Sequence, residues 1–294
     1  MALGPDGYAR ISYTTWDPAK VPPGHYALLG YIQCYDDDCT SFSNTGVDGT
    51  SDNEIDSIAV GSDGTAYIVY DYGNDSCPPD DWDCYPQGVG LAACSNGGCG
   101  KQQIAAISVF DGMWAVITVD TTGNPIVVYS DTGNANPYKP ESINYYSYSG
   151  GGVLSSSDGY WGPYDVSLGP DGFARIAYDP DIGPGAQFVQ CMDSACGTNS
   201  TNLISFPFSS PSYANVNVAP DGTTIVTAEY NTGNGGRSLD YLLCSAPNCS
   251  DYKDQVVPVP PGSSSWEWWA SAALDPGAPA ARMIAQLIVV PSLR

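Results

Sequence analysis

Histidine is almost absent from this chain of 294 residues; the sequence holds one, His25. A zinc or copper site built from several imidazoles is therefore excluded. Basic residues are scarce as well, nine Lys and Arg against 32 Asp and Glu, for a formal net charge of -23. A surface this acidic repels phosphate backbones, which excludes nucleic acid as a partner. No run of 18 apolar residues occurs, so a membrane span is not expected. Helical periodicity is missing too. What the chain does have is 43% apolar residues, 33 Gly, 24 Pro, 21 Tyr and ten Cys. That apolar content belongs to a folded protein, and disorder is excluded.

The cysteines fall into local pairs: Cys34 with Cys39, Cys77 with Cys84, Cys94 with Cys99, Cys191 with Cys196, and Cys244 with Cys249. Four pairs are spaced C-x4-C and the Cys77 pair is C-x6-C. Zinc sites favour C-x2-C with further ligands nearby, so five local disulfides are the reading. Each would close a short hairpin loop, worth about 2 kcal/mol by chain entropy. Such bonds last only in an oxidising compartment, so an extracellular, exported protein is expected. The first residues run directly into the turn Gly4-Pro5-Asp6-Gly7, and a leader is expected to have been removed.

Self-similarity decides the fold class. The segment from Asp165 to Asp179 reads Asp-Val-Ser-Leu, a Gly-Pro-Asp-Gly turn, then Phe-Ala-Arg-Ile-Ala-Tyr-Asp. Ser57 to Asp71, Val116 to Tyr129 and Asn215 to Thr227 repeat it, and Leu3 to Tyr13 matches from the turn onward. The turn positions 6, 63, 122, 171 and 221 lie 57, 59, 49 and 50 residues apart. Each unit reads as strand A, a tight Asp-Gly turn, strand B, a variable loop, strand C, a cysteine turn and strand D. Four antiparallel strands per repeat of about 50 residues make β-propeller blades. The expected fold is all-β, with five four-stranded blades in one domain. The blades span 3–56, 57–115, 116–164, 165–214 and 215–270. Residues 271–276 would supply strand A of the first blade and close the circle, leaving a tail at 277–294. Since the sequence from Arg282 resembles another strand B, six blades are the alternative.

The segments Ser57 to Asp71 and Asp165 to Asp179 resemble the repeats of exported bacterial β-propellers of the NHL and sialidase-like-repeat kind. The resemblance spans nearly the whole chain, at the level of the repeat. Those families include lectins, lyases, glycosidases and calcium-dependent lactonases, so it implies a fold and leaves the reaction open. Sialidase chemistry calls for three arginines around a carboxylate. Arg10 and Arg175 occupy matching positions in strand B and read as structural, which leaves Arg237 alone.

Propeller connectivity places the A–B and C–D turns on one face and the B–C and D–A loops on the other. The first face is stereotyped. The second carries the irregular segments, including B–C loops at 14–26, 72–89, 130–142, 180–186 and 230–238. Trp114, Trp161, Tyr164, Tyr213, Trp266, Trp268 and Trp269 precede a strand A, while Trp16 and Trp82 lie in B–C loops. All seven Trp thus map to one face, the place where rigid rings would anchor a ligand.

The acids divide in two. Asp6, Asp63, Asp171 and Asp221 read as turn residues that cap their own backbone. Asp36, Asp37 and Asp38 read as a solvated charge run. On the loop face, Asp71, Asp179 and Glu229 occupy one repeat position after strand B. Asp165 and Asn215 share another in strand A, and Glu54 and Asp56 precede strand A of their blade. Carboxylates that converge must raise a pKa, bind a cation or recruit an arginine such as Arg237; Lys20 and Lys139 are the nearby lysines.

Three functions follow. The first is carbohydrate binding or processing, with Asp165, Asp179 and Glu229 as candidate catalytic acids. Trp114, Trp161, Tyr164, Tyr213, Trp269 and Arg237 would then be the ligand-binding residues. The second is a calcium-dependent hydrolase of lactones or phosphoesters, with Ca²⁺ held by Glu54, Asp56, Asp165 and Asn215. The third is a surface or adhesive module without chemistry. The partner is a glycan or small molecule, and the chain is expected to be a monomer. A nucleophilic triad through His25 is not favoured. If every cysteine has a local partner, thiol labelling under denaturing, non-reducing conditions modifies none of the ten; labelling of any pair contradicts the hairpin-clamp reading for that pair.

Overall fold

The computed structural model describes residues 1–15, 28–48, 56–72, 88–95, 98–106, 115–131, 142–156, 163–178, 185–205, 213–231 and 237–257. Every strand begins or ends where the repeat punctuates it. The first sheet consists of β1 (Ala2–Leu3), β2 (Ala9–Thr15), β3 (Leu28–Cys34) and β4 (Phe42–Asp48). The second holds β5 (Asp56–Val60), β6 (Ala66–Tyr72), β7 (Gly88–Ser95) and β8 (Gly98–Ala106). The third holds β9 (Ala115–Val119), β10 (Pro125–Asp131), β11 (Ser142–Ser147) and β12 (Gly150–Ser156). The fourth is β13 (Pro163–Leu168), β14 (Ala174–Tyr178), β15 (Gly185–Cys191) and β16 (Asn199–Ser205). The fifth is β17 (Tyr213–Val218), β18 (Thr224–Asn231), β19 (Arg237–Cys244) and β20 (Tyr252–Val257).

Each sheet pairs its four strands antiparallel in sequence order, which is the blade meander of an all-β propeller. In the first sheet the A position is held by β1, with Ala2 opposite Arg10 and Leu3 opposite Ala9. The chain therefore supplies its own first strand, two residues long, where the sequence pattern begins only at the turn. The expected closing segment 271–276 and the tail 277–294 lie outside the described residues. Among the described residues no helix is long and apolar enough to cross a membrane.

The sheets form two compact units, Met1–Gly162 with the first three and Pro163–Arg294 with the last two. Alternation along the strands sends successive side chains to opposite faces, so a sheet can be buried on both. In the first unit, Ile68 and Tyr70 of β6 pack with Leu29 and Tyr31 of the first sheet. Tyr67 and Val69, the intervening residues, pack with Ala115, Ile117 and Val127 of the third. In the second unit, Ala177, Ala186, Phe188 and Ile204 meet Ala214, Val216, Val226, Ala228 and Leu242. Each fully buried Ile, Leu or Phe contributes about 1.5–3 kcal/mol. Tyr70 lies over its cross-strand partner Gly90, where a Cβ would stand 2.5 Å from the ring. Glycine there is what lets the ring lie flat against the sheet.

The A–B turns are built alike. Gly7, Gly64, Gly123, Gly172 and Gly222 all sit in the left-handed region, at φ of 81° to 88°. In each, the glycine N–H closes the turn onto the carbonyl three residues back, as Gly172 does on Gly169. The Asp before the glycine accepts the N–H two residues on: Tyr8 to Asp6, Thr65 to Asp63, Phe173 to Asp171 and Thr223 to Asp221. The capping role read from sequence holds. The third turn has Thr122 at that position, and Asp120, two residues earlier, accepts from the Thr122 and Asn124 backbones instead.

Two turns carry an additional clamp. Arg10 and Arg175, 2% and 4% exposed, ion-pair with Asp6 and Asp171 at 2.6 and 2.7 Å. Their guanidinium groups also donate to carbonyls: Arg10 to Tyr8 and to Cys34 of the neighbouring turn, Arg175 to Phe173. The carboxylate and guanidinium lie over Gly169, where a Cβ would meet Asp171 Oδ1 at 2.6 Å. The structural reading of both arginines is correct, and the repeat Gly-Pro-Asp-Gly-x-Ala-Arg is their signature.

The C–D turns hold four disulfides, Cys34–Cys39, Cys94–Cys99, Cys191–Cys196 and Cys244–Cys249. No free cysteine occurs among the described residues, and Cys77 and Cys84 lie outside them. The shared spacing conceals two geometries. Cys39, Cys196 and Cys249 adopt left-handed φ of 50°, 49° and 54°, ending a four-residue turn. Cys94 and Cys99 instead face each other directly across β7 and β8, so their hairpin turns over two residues. Ser95-Asn96-Gly97-Gly98 contains the Asn-Gly pair that marks such a turn.

The charge run is also more than solvated. Asp36 accepts from the Thr40 hydroxyl and from the Thr40 and Ser41 backbones, which hold its carboxyl below the usual range. Asp193 does the same with Thr198, Gly197 and Ala195. The third sheet has no cysteine turn, and Ser147 Oγ donates to Gly150 O instead. Replacing both Cys191 and Cys196 by Ser should lower the free energy of unfolding by about 2 kcal/mol. Denaturant melts check this; an unchanged midpoint would show that hydrogen bonds alone hold the turn.

Candidate functional site

The turns close one end of each sheet. At the other end, strands B and C and successive sheets are joined by segments that carry Trp16, Trp82, Trp114 and Trp161, and Trp266, Trp268 and Trp269 follow β20. Strand termini at this end position the candidate acids. Asp71 lies in β6 opposite Val89, Glu229 in β18 between Tyr213 and Leu239, and Asp56 starts β5 opposite Tyr70. Arg237 starts β19 opposite Asn231. Tyr213 and Glu229, proposed separately as ligand-binding and catalytic residues, are thus direct cross-strand partners. Asp179, Glu54, Trp114, Trp161, Trp269 and His25 lie outside the described residues.

Asp165 is the candidate whose surroundings are fully defined. Tyr164 is the extra residue of a bulge, because Pro163 pairs with Tyr178 and Asp165 with Ala177. A bulge of this kind re-aims the next side chain. Asp165 shares the face of Ala177, which packs on the fifth sheet. One carboxylate oxygen accepts the Val166 N–H at 2.9 Å and the other accepts the Val216 N–H of β17 at 2.8 Å. The second bond ties the inner strand of one sheet to that of the next. Although the residue is only partly covered, its carboxyl group is enclosed. Burial pushes its pKa up to about 7, against the opposing pull of the two N–H donors.

Val216 packs toward the fourth sheet, so its neighbour Asn215 faces the opposite side of β17. Asp165 and Asn215 thus share a repeat position, with Asp165 on the face of its sheet toward the fifth sheet and Asn215 on the face of β17 away from the fourth. Among the described residues, no group of three or more His, Cys, Asp or Glu is placed to hold a metal ion. The seam bond has no sequence signal, since the Val216 N–H becomes a partner only when two sheets are stacked.

No protein-family model matches the chain, and no curated protein matches it. Solved structures do. A protein of unknown function from Dyadobacter fermentans is similar over 87% of this chain and 81% of its own, with 11% identity and a TM-score of 0.58. An alpha-L-arabinofuranosidase from Clostridium thermocellum is similar over 79% of this chain and 83% of its own, with 15% identity and a TM-score of 0.42. The likeness to the Dyadobacter protein is one of fold.

Replacing Asp165 by Ala leaves the Val216 N–H without its acceptor, at a cost of about 1–3 kcal/mol. The sign of the pH dependence follows from the raised pKa. The folded state holds a proton on Asp165 that the unfolded chain releases near 3.8, so this contribution is complete in acid and lost as pH rises toward 7. The variant should therefore lose more stability at pH 4 than at pH 8 in denaturant melts. An equal loss at both would show that Asp165 is ionised throughout.

Proposed function

We propose that the protein is an extracellular carbohydrate-binding β-propeller whose ligand meets the sheet ends opposite the clamped turns. The observation that carries this reading is the partition of tryptophan. Trp16 and Trp82 follow β2 and β6, Trp114 and Trp161 precede β9 and β13, and Trp266, Trp268 and Trp269 follow β20. Each lies in a segment attached at the end of its sheet that no A–B or C–D turn occupies. Large rings with an apolar body and a polar edge suit the alternating apolar faces and hydroxyls of sugars. Acids at matched strand ends, Asp71, Asp179 and Glu229, supply acceptors for those hydroxyls. The four disulfides are compatible with an extracellular protein.

Binding is favoured over hydrolysis through Asp165, because both oxygens of that carboxylate are engaged by backbone donors. A hydrolytic version of the same reading would rest on Asp179 and Glu229.

A glycan array, followed by tryptophan fluorescence titration with the oligosaccharides that bind, tests the reading. Trp161→Ala and Trp269→Ala should each weaken binding by about tenfold or more with unchanged melting. Absence of any glycan bound, with calcium raising the melting temperature, would overturn it in favour of a calcium-dependent hydrolase. Release of reducing sugar that Glu229→Gln abolishes would turn the binder into a glycosidase.

A further inference from the structure

The third sheet has no cysteine turn; its C–D connection is Tyr148-Ser149, between β11 and β12. Two-residue hairpin connections favour Asn-Gly and other glycine-containing pairs, whose residues accept a left-handed φ. Neither Tyr148 nor Ser149 has a positive φ, and the neighbours take up the geometry instead. Gly150 adopts φ 142°, the Ser147 hydroxyl accepts the Ser149 N–H, and the same hydroxyl donates to the Gly150 carbonyl. Serine and glycine thus build the turn, and its apex is left to an aromatic ring. Tyr148 is 51% exposed. Among the four described disulfide turns the one aromatic is Tyr35, whose hydroxyl donates to Ser43 Oγ.

Other rings stand beside it. Tyr148 meets Tyr146 edge to face, with ring centroids 6.3 Å apart and planes at 89°. Tyr146 lies on the face of β11 that packs on the second sheet, in one cluster with Tyr67 and Ala93. Burial raises the pKa of the Tyr67 and Tyr146 hydroxyls, and Tyr148 raises each further, so the three phenols share one neighbourhood. The outer strands next to them are bare. Gly100 on β8 stands in the row of Tyr67 and Ala93, and Gly98 is two residues away on the same face. A Cβ at either would meet nothing within 4 Å. Packing therefore does not require glycine at these two positions, and in a strand it marks a place where another molecule can come close. Gly151, which a Cβ would crowd against the Tyr145 carbonyl, is the partner of Tyr146 on β12. All three glycines are exposed.

We propose that this turn end of the seam between the second and third sheets is a second binding site, for an uncharged sugar unit of a polysaccharide. Tyr148 and Tyr146 supply ring surface on which the apolar side of a pyranose rests, with hydroxyls at the rim. Glycine on β8 and β12 leaves the lateral space that a chain of sugars needs on either side of the bound unit. Asp63 and Asp120, whose negative charge reaches Tyr67, offer acceptors to sugar hydroxyls and repel a carboxylate or a sulfate. Acidic polysaccharides are thereby excluded. The site lies at the turn end of its sheets, apart from the tryptophan-bearing segments, so it stands or falls independently of a ligand there.

Native electrophoresis in gels that contain a soluble neutral polysaccharide (β-glucan, xylan or mannan) reads the site as retardation. At least one of these should retard the parent protein, and polygalacturonate should not. Tyr148→Ala should weaken the binding about tenfold with an unchanged melting temperature. Tyr148→Phe keeps the ring and should bind nearly as the parent does. Gly100→Val removes no group and fills the open space in the row of Tyr67; it should weaken binding as Tyr148→Ala does. Tyr35→Ala, in the first sheet's turn, should leave binding unchanged. Amide exchange with the retarding polysaccharide should show protection from Tyr148 to Gly151. Protection confined to the tryptophan-bearing segments, with Tyr148→Ala binding like the parent, would assign the ligand to the opposite sheet ends and overturn the proposal. It is also overturned if no neutral polysaccharide retards the parent, if Tyr148→Phe loses as much as Tyr148→Ala, or if polygalacturonate retards the parent equally.

Discussion

The closure of each sheet at one end is the constraint on which the rest of this molecule depends. A strand pair slipped by one residue turns every apolar side chain to the wrong face. Here both faces of a sheet can be buried, as the second sheet shows with Ile68 on one side and Val69 on the other. Register is therefore unforgiving, and the A–B turn sets it. A glycine in the left-handed region and an aspartate accepting a nearby N–H fix where strand B starts relative to strand A. Disulfides or a serine hydroxyl do the same for strands C and D. With the register fixed, alternation alone delivers the alanines, valines and isoleucines to the seams.

Clamping one end also concentrates chemical freedom at the other. The turns spend their polar groups on themselves: Asp6 and Asp171 on arginines, Asp36 and Asp193 on backbone N–H groups. Many of the acids that give the chain its net charge of -23 are thus structural ones. The sequence assigns the opposite strand ends Asp71 and Glu229, and attaches the tryptophan-bearing segments there. Between the two ends, the seam of the fourth and fifth sheets contains two acids, Asp165 with its carboxylate bonded to backbone and the fully buried Asp240.

Much of the fold was legible because the repeat is punctuated by residues with few alternative uses. Pro-Asp-Gly and C-x4-C each specify a turn, and both positions recur at blade spacing. The matching placement of Arg10 and Arg175 sufficed to call them structural. What was hidden depended on neighbours distant in sequence. The C-x4-C count could not separate a left-handed Cys39 from a directly paired Cys99, although Asn96-Gly97 was there to be read. The bond from the Val216 N–H to Asp165 spans two sheets, so neither strand alone could announce it.

Amide exchange across the whole chain, with and without a bound oligosaccharide, tests the division of labour most directly. The account predicts protection in the segments between strands B and C and between sheets, such as 16–27, 73–87, 107–114 and 157–162. The Asp-Gly and cysteine turns should exchange at the same rate in both states. Protection confined to those turns would contradict it, and would place the ligand at the clamped turn ends of the sheets.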